Sequence, residues 1–197
     1  MIIGLDIDNV IADLDKTLLE EFLKEDKNKR NKGIIDPTAE HMTQGMFDWS
    51  HQEIHEFLDH HLEQMTANLD LVEDAKTIID QLKKDGHKIY LITGRNATRF
   101  SNPEELTKKW LEEKGVQYDK LIFTQNSTDK SLECSKYKVD IMFDDRPMNC
   151  IKLQEKGIQS YLFKTRYNWR YSLNVPMVDS WKDLYKLIKE ISKNGIN

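Results

Sequence analysis

Two carboxylates close the first apolar run of the chain. The run that starts at Ile2 predicts a buried strand, and Asp6 and Asp8 end it with one residue between them. Neighbouring carboxylates repel each other, and a bound divalent cation removes this repulsion. Carboxylate oxygens are ligands that Mg²⁺ prefers. The pair therefore indicates a candidate magnesium site, and the alternative is that the two acids only cap a turn or a helix.

Two later apolar runs also end in polar residues. One ends in Thr93, Gly94 and Arg95, and the other ends in Asp144 and Asp145. In an open parallel sheet, ligands bind outside the carboxyl ends of the strands. We therefore expect all three polar clusters to lie at one edge of a sheet and to face one crevice.

The elements that must position these residues alternate between helix and strand from Leu71 onward. Apolar spacing predicts helices that are closed by Gly86 and Gly115, and glycine is a favoured residue after a helix end. Further strands are predicted at 121–123, 139–143 and 160–163. Alternating strands and helices imply a parallel sheet with helices on both faces. The sequence thus predicts an α/β fold, a Rossmann-like parallel sheet sandwiched by helices.

A polar, helix-rich stretch separates the first strand from this alternating pattern. Leu14, Leu18 and Phe22 recur every four residues, as one face of a helix requires, and a second helix is predicted through 54–62. We expect residues 13–69 to form a small helical cap over the crevice, inserted after the first strand. Residues 1–12 and 70–197 would then form the α/β catalytic core.

Composition limits the classes of protein to consider. The chain has 197 residues, 32% of them charged, and a formal net charge of -5 with scattered basic residues, which disfavours a binder of nucleic-acid polymers.

No apolar run approaches the ~20 residues of a membrane span. With a first strand predicted from Ile2, we expect no signal peptide. Cys134 and Cys150 lack metal-ligand spacing and are expected to be reduced thiols. We expect a cytoplasmic protein without a membrane partner. Whether it forms a homodimer is left open by the sequence.

Phosphoryl transfer to a carboxylate would need these residue types. A carboxylate can attack phosphorus and form an aspartyl-phosphate, and Asp6 is the candidate nucleophile. Asp8 would protonate the leaving oxygen and then deprotonate the attacking water. Mg²⁺ held by Asp6, by the carbonyl of Asp8 and by an acid of the Asp144–Asp145 pair would reduce repulsion between two anions. Thr93 and nearby backbone amides would hold phosphate oxygens.

The order of the motifs resembles that of the haloacid-dehalogenase-like phosphohydrolases. The chain reads Asp-Ile-Asp-Asn-Val from Asp6, Ile-Thr-Gly-Arg from Ile92, then a lysine, then Phe-Asp-Asp from Phe143. The helical insertion after the first motif is similar to the cap of the 5'(3')-deoxyribonucleotidase branch, bacterial members included. The resemblance spans most of the chain and implies a Mg²⁺-dependent phosphomonoesterase.

The resemblance also implies roles for individual residues. Asp6 matches the family nucleophile and Asp8 its acid/base residue. Thr93 matches the phosphate-binding hydroxyl, with Gly94 beside it. Asp145 matches the metal ligand.

Two further positions leave alternatives open. Asp144 either binds the metal ion as a second ligand or contacts the ligand Asp145 without binding the ion itself. The phosphate-binding lysine is best matched by Lys130, which follows a predicted strand, and Lys136 and Lys138 are the other candidates.

Three residues are weaker candidates for substrate binding. Phe47 and Trp49 lie in the predicted cap, where they either pack its small core or, as the resemblance implies, stack on a nucleobase. Arg95 either touches the site or pairs with a surface acid.

The resulting hypothesis is a 5'(3')-nucleotidase that hydrolyses (deoxy)ribonucleoside monophosphates through an aspartyl-phosphate. The nearest alternative is the same chemistry on another small phosphate, such as a phosphosugar, because the sequence shows no base-reading motif. A non-catalytic regulator that binds a phosphorylated ligand is disfavoured, since Asp6 and Asp8 are both present.

Overall fold

The computed structural model of the protein describes residues 1–39, 45–173 and 175–195. Its strands are β1 (Ile2–Leu5), β2 (Lys88–Thr93), β3 (Lys120–Phe123), β4 (Ile141–Asp144), β5 (Gln159–Phe163) and β6 (Met177–Val178). They form one sheet in the order β3-β2-β1-β4-β5-β6, and every neighbouring pair is parallel. The predicted α/β class is confirmed.

The helices of the described ranges follow the predicted alternation. They are α1 (Leu14–Lys29), α2 (His51–Ala67), α3 (Ala75–Lys84), α4 (Pro103–Glu113), α5 (Ser131–Lys136), α6 (Pro147–Glu155) and α7 (Trp181–Asn194), with a 3-10 helix at Trp169–Leu173. The short elements α5 and β6 did not follow from the pattern, because so few residues carry too little periodicity.

Side chains alternate between the two faces of the sheet and pack against helices on both. On one face, Leu5 and Leu91 belong to a buried cluster with residues of α3, α4 and α7. On the other face, Met142 packs with Cys134 of α5 and Leu153 of α6. Helices therefore cover both faces, as a parallel sheet requires.

The chain leaves the sheet domain and returns to it at adjacent points. The backbone N–H of Asp13 donates to the carbonyl of Asp70 at 2.9 Å, and that of Val72 donates to Ile11 at 2.8 Å. Between these points α1 and α2 enclose a separate buried cluster, formed by Phe22, Met46, Phe47, Trp49, Ile54, Phe57 and Met65. We propose on this basis that residues 13–69 form the cap and that 1–12 and 70–197 form the core.

Two expectations from the sequence concern the cysteines, expected to be reduced thiols, and the lack of a membrane span. Cys134 and Cys150 are buried and unpaired, and burial raises the pKa of the Cys134 thiol to about 12, so this thiol is unreactive. Within the described ranges, no helix combines the length and the apolar character that crossing a bilayer requires.

Candidate active site

The polar ends of β1, β2 and β4 meet because these strands are neighbours, with β1 in the middle. Asp6 directly follows β1, Thr93 ends β2 and Asp144 ends β4. The backbone N–H of Asp6 donates to the carbonyl of Phe143 at 2.9 Å, which holds the two acidic segments side by side. The structure thus brings these three predicted groups to one edge of the sheet.

Lys130 reaches the same edge from the loop between β3 and α5. Its Nζ lies 2.7 Å from Asp6 Oδ1 and 2.7 Å from Asp144 Oδ2, and its side chain is 1% exposed. Burial alone would lower the pKa of this lysine, but the two carboxylates outweigh it and raise the pKa above its ordinary value. Lys136 and Lys138 are exposed. Of the three candidate lysines, the structure places Lys130 at the edge.

Asp6, Asp144 and Asp145 form a buried acidic triad, in which each residue offers a carboxylate oxygen within 4.8 Å of the others. Burial is the main cause that raises the pKa of Asp6 well above its ordinary value, and it raises that of Asp145 to about 6. Three carboxylates here face two positive groups, the ammonium of Lys130 and the guanidinium of Arg146, so a divalent cation would offset the remaining negative charge. The all-oxygen donor set fits a hard cation such as Mg²⁺.

The two acids of the late pair differ in their surroundings. Asp144 is fully buried and tied to protein donors: Asn149 Nδ2 lies 3.0 Å from each of its carboxylate oxygens, and the Arg146 N–H donates to Oδ1 at 2.8 Å. Asp145 lines the cavity described below. A cation that enters from the cavity therefore has direct access to Asp145.

Three further side chains hold Asp145 in place. Asn9 Nδ2 donates to Asp145 Oδ2 at 2.8 Å, and the Tyr167 hydroxyl donates to the same oxygen. Asn168 Nδ2 donates to the Asp145 carbonyl at 2.8 Å. Asn9 could have been suspected because it directly follows Asp8. Asn168 follows β5 near the same edge of the sheet, and this position predicts that it borders the crevice, whereas the sequence does not single out Tyr167.

Arg95 pairs with Asp8 and not with a surface acid. Its Nη2 lies 2.6 Å from Asp8 Oδ1 and its Nε lies 3.1 Å from Oδ2. The buried guanidinium also donates to Thr107 Oγ1 at 3.3 Å and lies 5.8 Å from the ring centre of Trp110. Arg95 is thus at the site, bound to the candidate acid/base residue. The contact of the Asp8 carbonyl with a metal ion stays a prediction.

Thr93 is the last residue of β2, and Gly94 begins the loop that follows it. Thr93 is fully buried, and its Oγ1 accepts a hydrogen bond from the Arg95 N–H at 3.2 Å. Gly94 lines the cavity, where a Cβ in its place would lie 2.6 Å from Ser127 Cβ. The absence of a side chain at Gly94 therefore lets two loops of the site approach closely. Phosphate binding by both residues stays a prediction.

A cavity of about 470 Å³ lies between the sheet edge and the helical segment 13–69. Its charged side includes Asp6, Asp8, Lys130, Asp145 and Arg146, and its apolar side includes Leu14, Leu18, Phe22, Leu62 and Phe100. A few converging polar groups beside an apolar wall are typical of a small-molecule site.

Phe22 is the aromatic residue of the described cap that lines this cavity. Phe22 is itself fully buried, Phe47 and Trp49 are nearly so, and the rings of Phe22 and Trp49 stack with centroids 4.9 Å apart. Phe47 and Trp49 do not contribute to the described lining. Among the described residues, the structure therefore places Phe47 and Trp49 in the cap core, one of the two positions considered for them. The sequence analysis identified Phe22 only as part of an apolar helix face.

Solved structures share this fold along nearly the whole chain. A haloacid dehalogenase-like family hydrolase from Streptococcus pneumoniae superposes with a TM-score of 0.66 at 14% identity, over 94% of this chain and 97% of its own. A "predicted phosphatase" from Clostridium acetobutylicum gives a TM-score of 0.64 at 16% identity, over 96% and 98%. These likenesses show the fold, and together with the family match described next they place the chain among the haloacid-dehalogenase-like phosphohydrolases.

Sequence comparison identifies the family within this class. A family model described as "5' nucleotidase, deoxy (Pyrimidine), cytosolic type C protein" matches residues 1–194, and the chain belongs to this family. A Bacillus cereus protein named "Putative nucleotidase" is 36% identical over 118 residues. That alignment spans 59% of this chain and 59% of the curated relative.

Proposed function

We propose that this protein is a Mg²⁺-dependent phosphomonoesterase, a 5'(3')-nucleotidase that hydrolyses (deoxy)ribonucleoside monophosphates in the cytoplasm. The observation that carries the proposal is the buried triad of Asp6, Asp144 and Asp145 with Lys130, beside a cavity that is also lined by apolar residues of segment 13–69. The match to a nucleotidase family supports the choice of a nucleotide substrate.

Asp6 is the nucleophile in this proposal. Lys130 Nζ at 2.7 Å and the Ile7 N–H at 2.8 Å both contact Oδ1, which fixes the carboxylate and leaves Oδ2 to attack phosphorus. The new bond joins Oδ2 to phosphorus, and the bond between phosphorus and the nucleoside oxygen breaks. The product of this step is an aspartyl-phosphate on Asp6.

Asp8 moves the protons in both steps. In its acid form it donates a proton to the leaving nucleoside oxygen, which departs as an alcohol. As a carboxylate it then takes a proton from the water that attacks phosphorus. The bond between phosphorus and Asp6 Oδ2 breaks, so inorganic phosphate is released, the Asp6 carboxylate is restored and the acid form of Asp8 is regenerated. The two-point contact with Arg95 holds the Asp8 carboxylate in one orientation.

The remaining polar groups of the site would balance the negative charge of the phosphoryl group and of the Asp6 carboxylate. Asp6 and Asp145 would hold Mg²⁺, with Asp144 beside them, and the bound ion would neutralise charge between the carboxylate and the phosphoryl group. Lys130 adds a buried positive charge next to Asp6. The Thr93 hydroxyl and the amides near Gly94 would hold phosphoryl oxygens.

The apolar wall accounts for the nucleoside part of the substrate. Phe22, Leu18 and Leu62 of the cap face the cavity together with Phe100 of the core. Stacking of a base on an aromatic ring contributes about 1–3 kcal/mol and tolerates different bases. We therefore assign Phe22 and Phe100 to the base, in place of Phe47 and Trp49, which do not contribute to the described lining of the cavity.

The proposal is tested by phosphate release from a panel of nucleoside monophosphates, phosphosugars and phosphoglycolate, with Mg²⁺ and with EDTA. We expect turnover of nucleotides that EDTA abolishes and that is lost in Asp6→Asn. Asp70→Asn is the matched control, because the Asp70 side chain is 82% exposed. Turnover without a metal ion, or full activity of Asp6→Asn, would contradict the mechanism. A clear preference for phosphosugars or phosphoglycolate would reject the nucleotidase assignment and leave the phosphatase mechanism intact.

A further inference from the structure

Asn9 has a backbone conformation that costs a non-glycine residue free energy. Its φ is +64°, in the left-handed region that glycine adopts without strain. The position follows directly on Asp8, at the tight turn in which the Asn9 N–H donates to the Ala12 carbonyl at 2.7 Å. A glycine would serve this turn at least as well, so the reason for asparagine lies in its side chain.

Both polar atoms of the Asn9 side-chain amide form hydrogen bonds. Nδ2 donates to Asp145 Oδ2 at 2.8 Å and lies 3.1 Å from the Tyr167 hydroxyl. Oδ1 accepts a hydrogen bond from the backbone N–H of Asp15 at 2.7 Å. Asp15 is in the first turn of α1, the first cap helix. One amide therefore joins an acid of the triad to the start of the cap.

A second contact reinforces this junction. The Asp15 carboxylate accepts hydrogen bonds from Arg166 Nε and Nη2, each at 3.1 Å. Arg166 precedes Tyr167, whose hydroxyl contacts Asp145. The first turn of α1 is thus connected to Asp145 through Asn9 and, by a separate route along the backbone, through Arg166 and Tyr167.

We propose that Asn9 is a positioning residue that couples the Asp145 carboxylate to the first turn of α1. A cation bound at Asp145 holds the Asn9 amide in place and thereby orders the start of the cap. Conversely, a shift of α1 loosens Asp145. This inference rests on the proposed function for the identity of the cation, Mg²⁺.

The test uses Asn9→Gly, which keeps the left-handed backbone and removes only the amide. Asn31→Gly is the matched control, because Asn31 also has a positive φ, +52°, and is exposed at the end of α1. Mg²⁺ affinity is measured by calorimetry without substrate, and hydrogen exchange of residues 13–18 is followed with and without Mg²⁺. We expect Asn9→Gly to bind Mg²⁺ roughly 10–100-fold more weakly, the usual cost of losing a group that orients a metal ligand.

Hydrogen exchange separates coupling from simple support of Asp145. In the unaltered protein and in Asn31→Gly, Mg²⁺ should slow exchange in residues 13–18. In Asn9→Gly, in which only the route through Arg166 and Tyr167 is left, most of this slowing should be lost even at saturating Mg²⁺. Tyr167→Phe is the second variant. It removes one donor to Asp145 but keeps Asn9, so Mg²⁺ binding should weaken while most of the slowing is retained.

The outcomes distinguish this inference from the proposed function. If the unaltered protein binds Mg²⁺ and hydrolyses nucleotides but Asn9→Gly shows the same affinity and the same slowing, the coupling is overturned and the function stands. If the unaltered protein binds no Mg²⁺, the metal dependence of the proposed function and the coupling fail together.

Discussion

The carboxylate of Asp8 and the guanidinium of Arg95 form a two-point ion pair, with Nη2–Oδ1 at 2.6 Å and Nε–Oδ2 at 3.1 Å. Arg95 is itself fixed by Thr107 and by the ring of Trp110. The planar fork of arginine matches both carboxylate oxygens, which the point charge of a lysine cannot do. The orientation of the proposed acid/base residue is therefore set from the segment that joins β2 to α4.

Replacing Arg95 should impair the step that needs a proton. In Arg95→Lys the Asp8 carboxylate loses its second contact, so we expect kcat for a nucleoside monophosphate to fall by at least about tenfold. The upper limit of this loss is the roughly 10²–10⁴-fold contribution of a general acid. p-Nitrophenyl phosphate has a leaving group that departs without protonation, so its turnover should change little. The measurement is the ratio of the two kcat values in the variant and in the unaltered protein.

Asp8→Asn provides the reference for this comparison, because it removes the proton donor itself. Its loss of kcat should again be larger for the nucleoside monophosphate than for p-nitrophenyl phosphate, and the difference between the two losses should exceed that in Arg95→Lys. Equal losses on both substrates in Arg95→Lys would mean that Arg95 acts on substrate binding or on folding and not on the acid/base residue.

Lys130 should be essential for the stability of the metal-free protein. Lys130→Met leaves the buried carboxylates of Asp6 and Asp144 without their cation, and breaking a buried ion pair by removing one partner costs about 3–5 kcal/mol. Urea unfolding in EDTA measures this change in the free energy of unfolding. Mg²⁺ should restore more stability to the variant than to the unaltered protein.

Lys136→Met is the control for this measurement, since Lys136 is exposed on α5. A free energy of unfolding for Lys130→Met equal to that of the control would contradict the electrostatic role of Lys130.

A methyl group at Gly94 should disturb the cavity more than the rest of the fold. In Gly94→Ala the new Cβ would lie 2.6 Å from Ser127 Cβ and 3.1 Å from Ser127 Cα, so the two loops must move apart. Overpacking of this kind costs about 1–3 kcal/mol. Both loops line the cavity, and we expect KM to rise.

Ser127→Gly offers a partial rescue of this variant. It removes the closer of the two contacts and leaves the one to Cα, so the double variant should recover part of both stability and KM. No recovery in a double-mutant cycle would show that Gly94 and Ser127 are not coupled.

Asp26 should make the stability of the cap depend on pH. Its buried carboxylate accepts hydrogen bonds from Trp49 Nε1 at 3.0 Å, the Lys32 N–H at 2.9 Å and the Gly33 N–H at 2.7 Å. Burial by itself would raise the pKa of Asp26, but these hydrogen bonds together outweigh it and lower the pKa below its ordinary value.

The direction of the pH effect follows from this lowered pKa. The contribution of Asp26 is fully present above the unfolded-state value of about 4 and is lost as the pH falls through the lower value of the folded state. Asp26→Asn, which accepts fewer of these hydrogen bonds, should lose about 1–3 kcal/mol near neutral pH. The difference in the free energy of unfolding between Asp26→Asn and the unaltered protein should shrink below about pH 4. Urea unfolding at several pH values measures it. A difference that stays constant with pH, or one that also appears in the exposed control Asp59→Asn, would contradict the role of the Asp26 carboxylate.

The sequence by itself determined which residue types stand at the end of each buried strand. Asp6, Thr93 and Asp144 follow runs whose period and composition are local properties, and the rule that parallel strands present their carboxyl ends at one edge is general. These two facts were sufficient to predict the α/β class and the meeting of the acidic clusters. The motif order was sufficient to prefer Lys130 over Lys136 and Lys138.

Only the tertiary structure decided which side chains touch one another across the site. Asn9 and Asp145 are 136 residues apart, Asp8 and Arg95 are 87 apart, and no local period links either pair. The same holds for Phe22, which a helical pattern places on an apolar face without showing whether that face meets the cap core or the cavity. Such contacts depend on how helices and loops pack in three dimensions, because side-chain partners in a folded chain are selected by shape and charge and not by distance along the sequence.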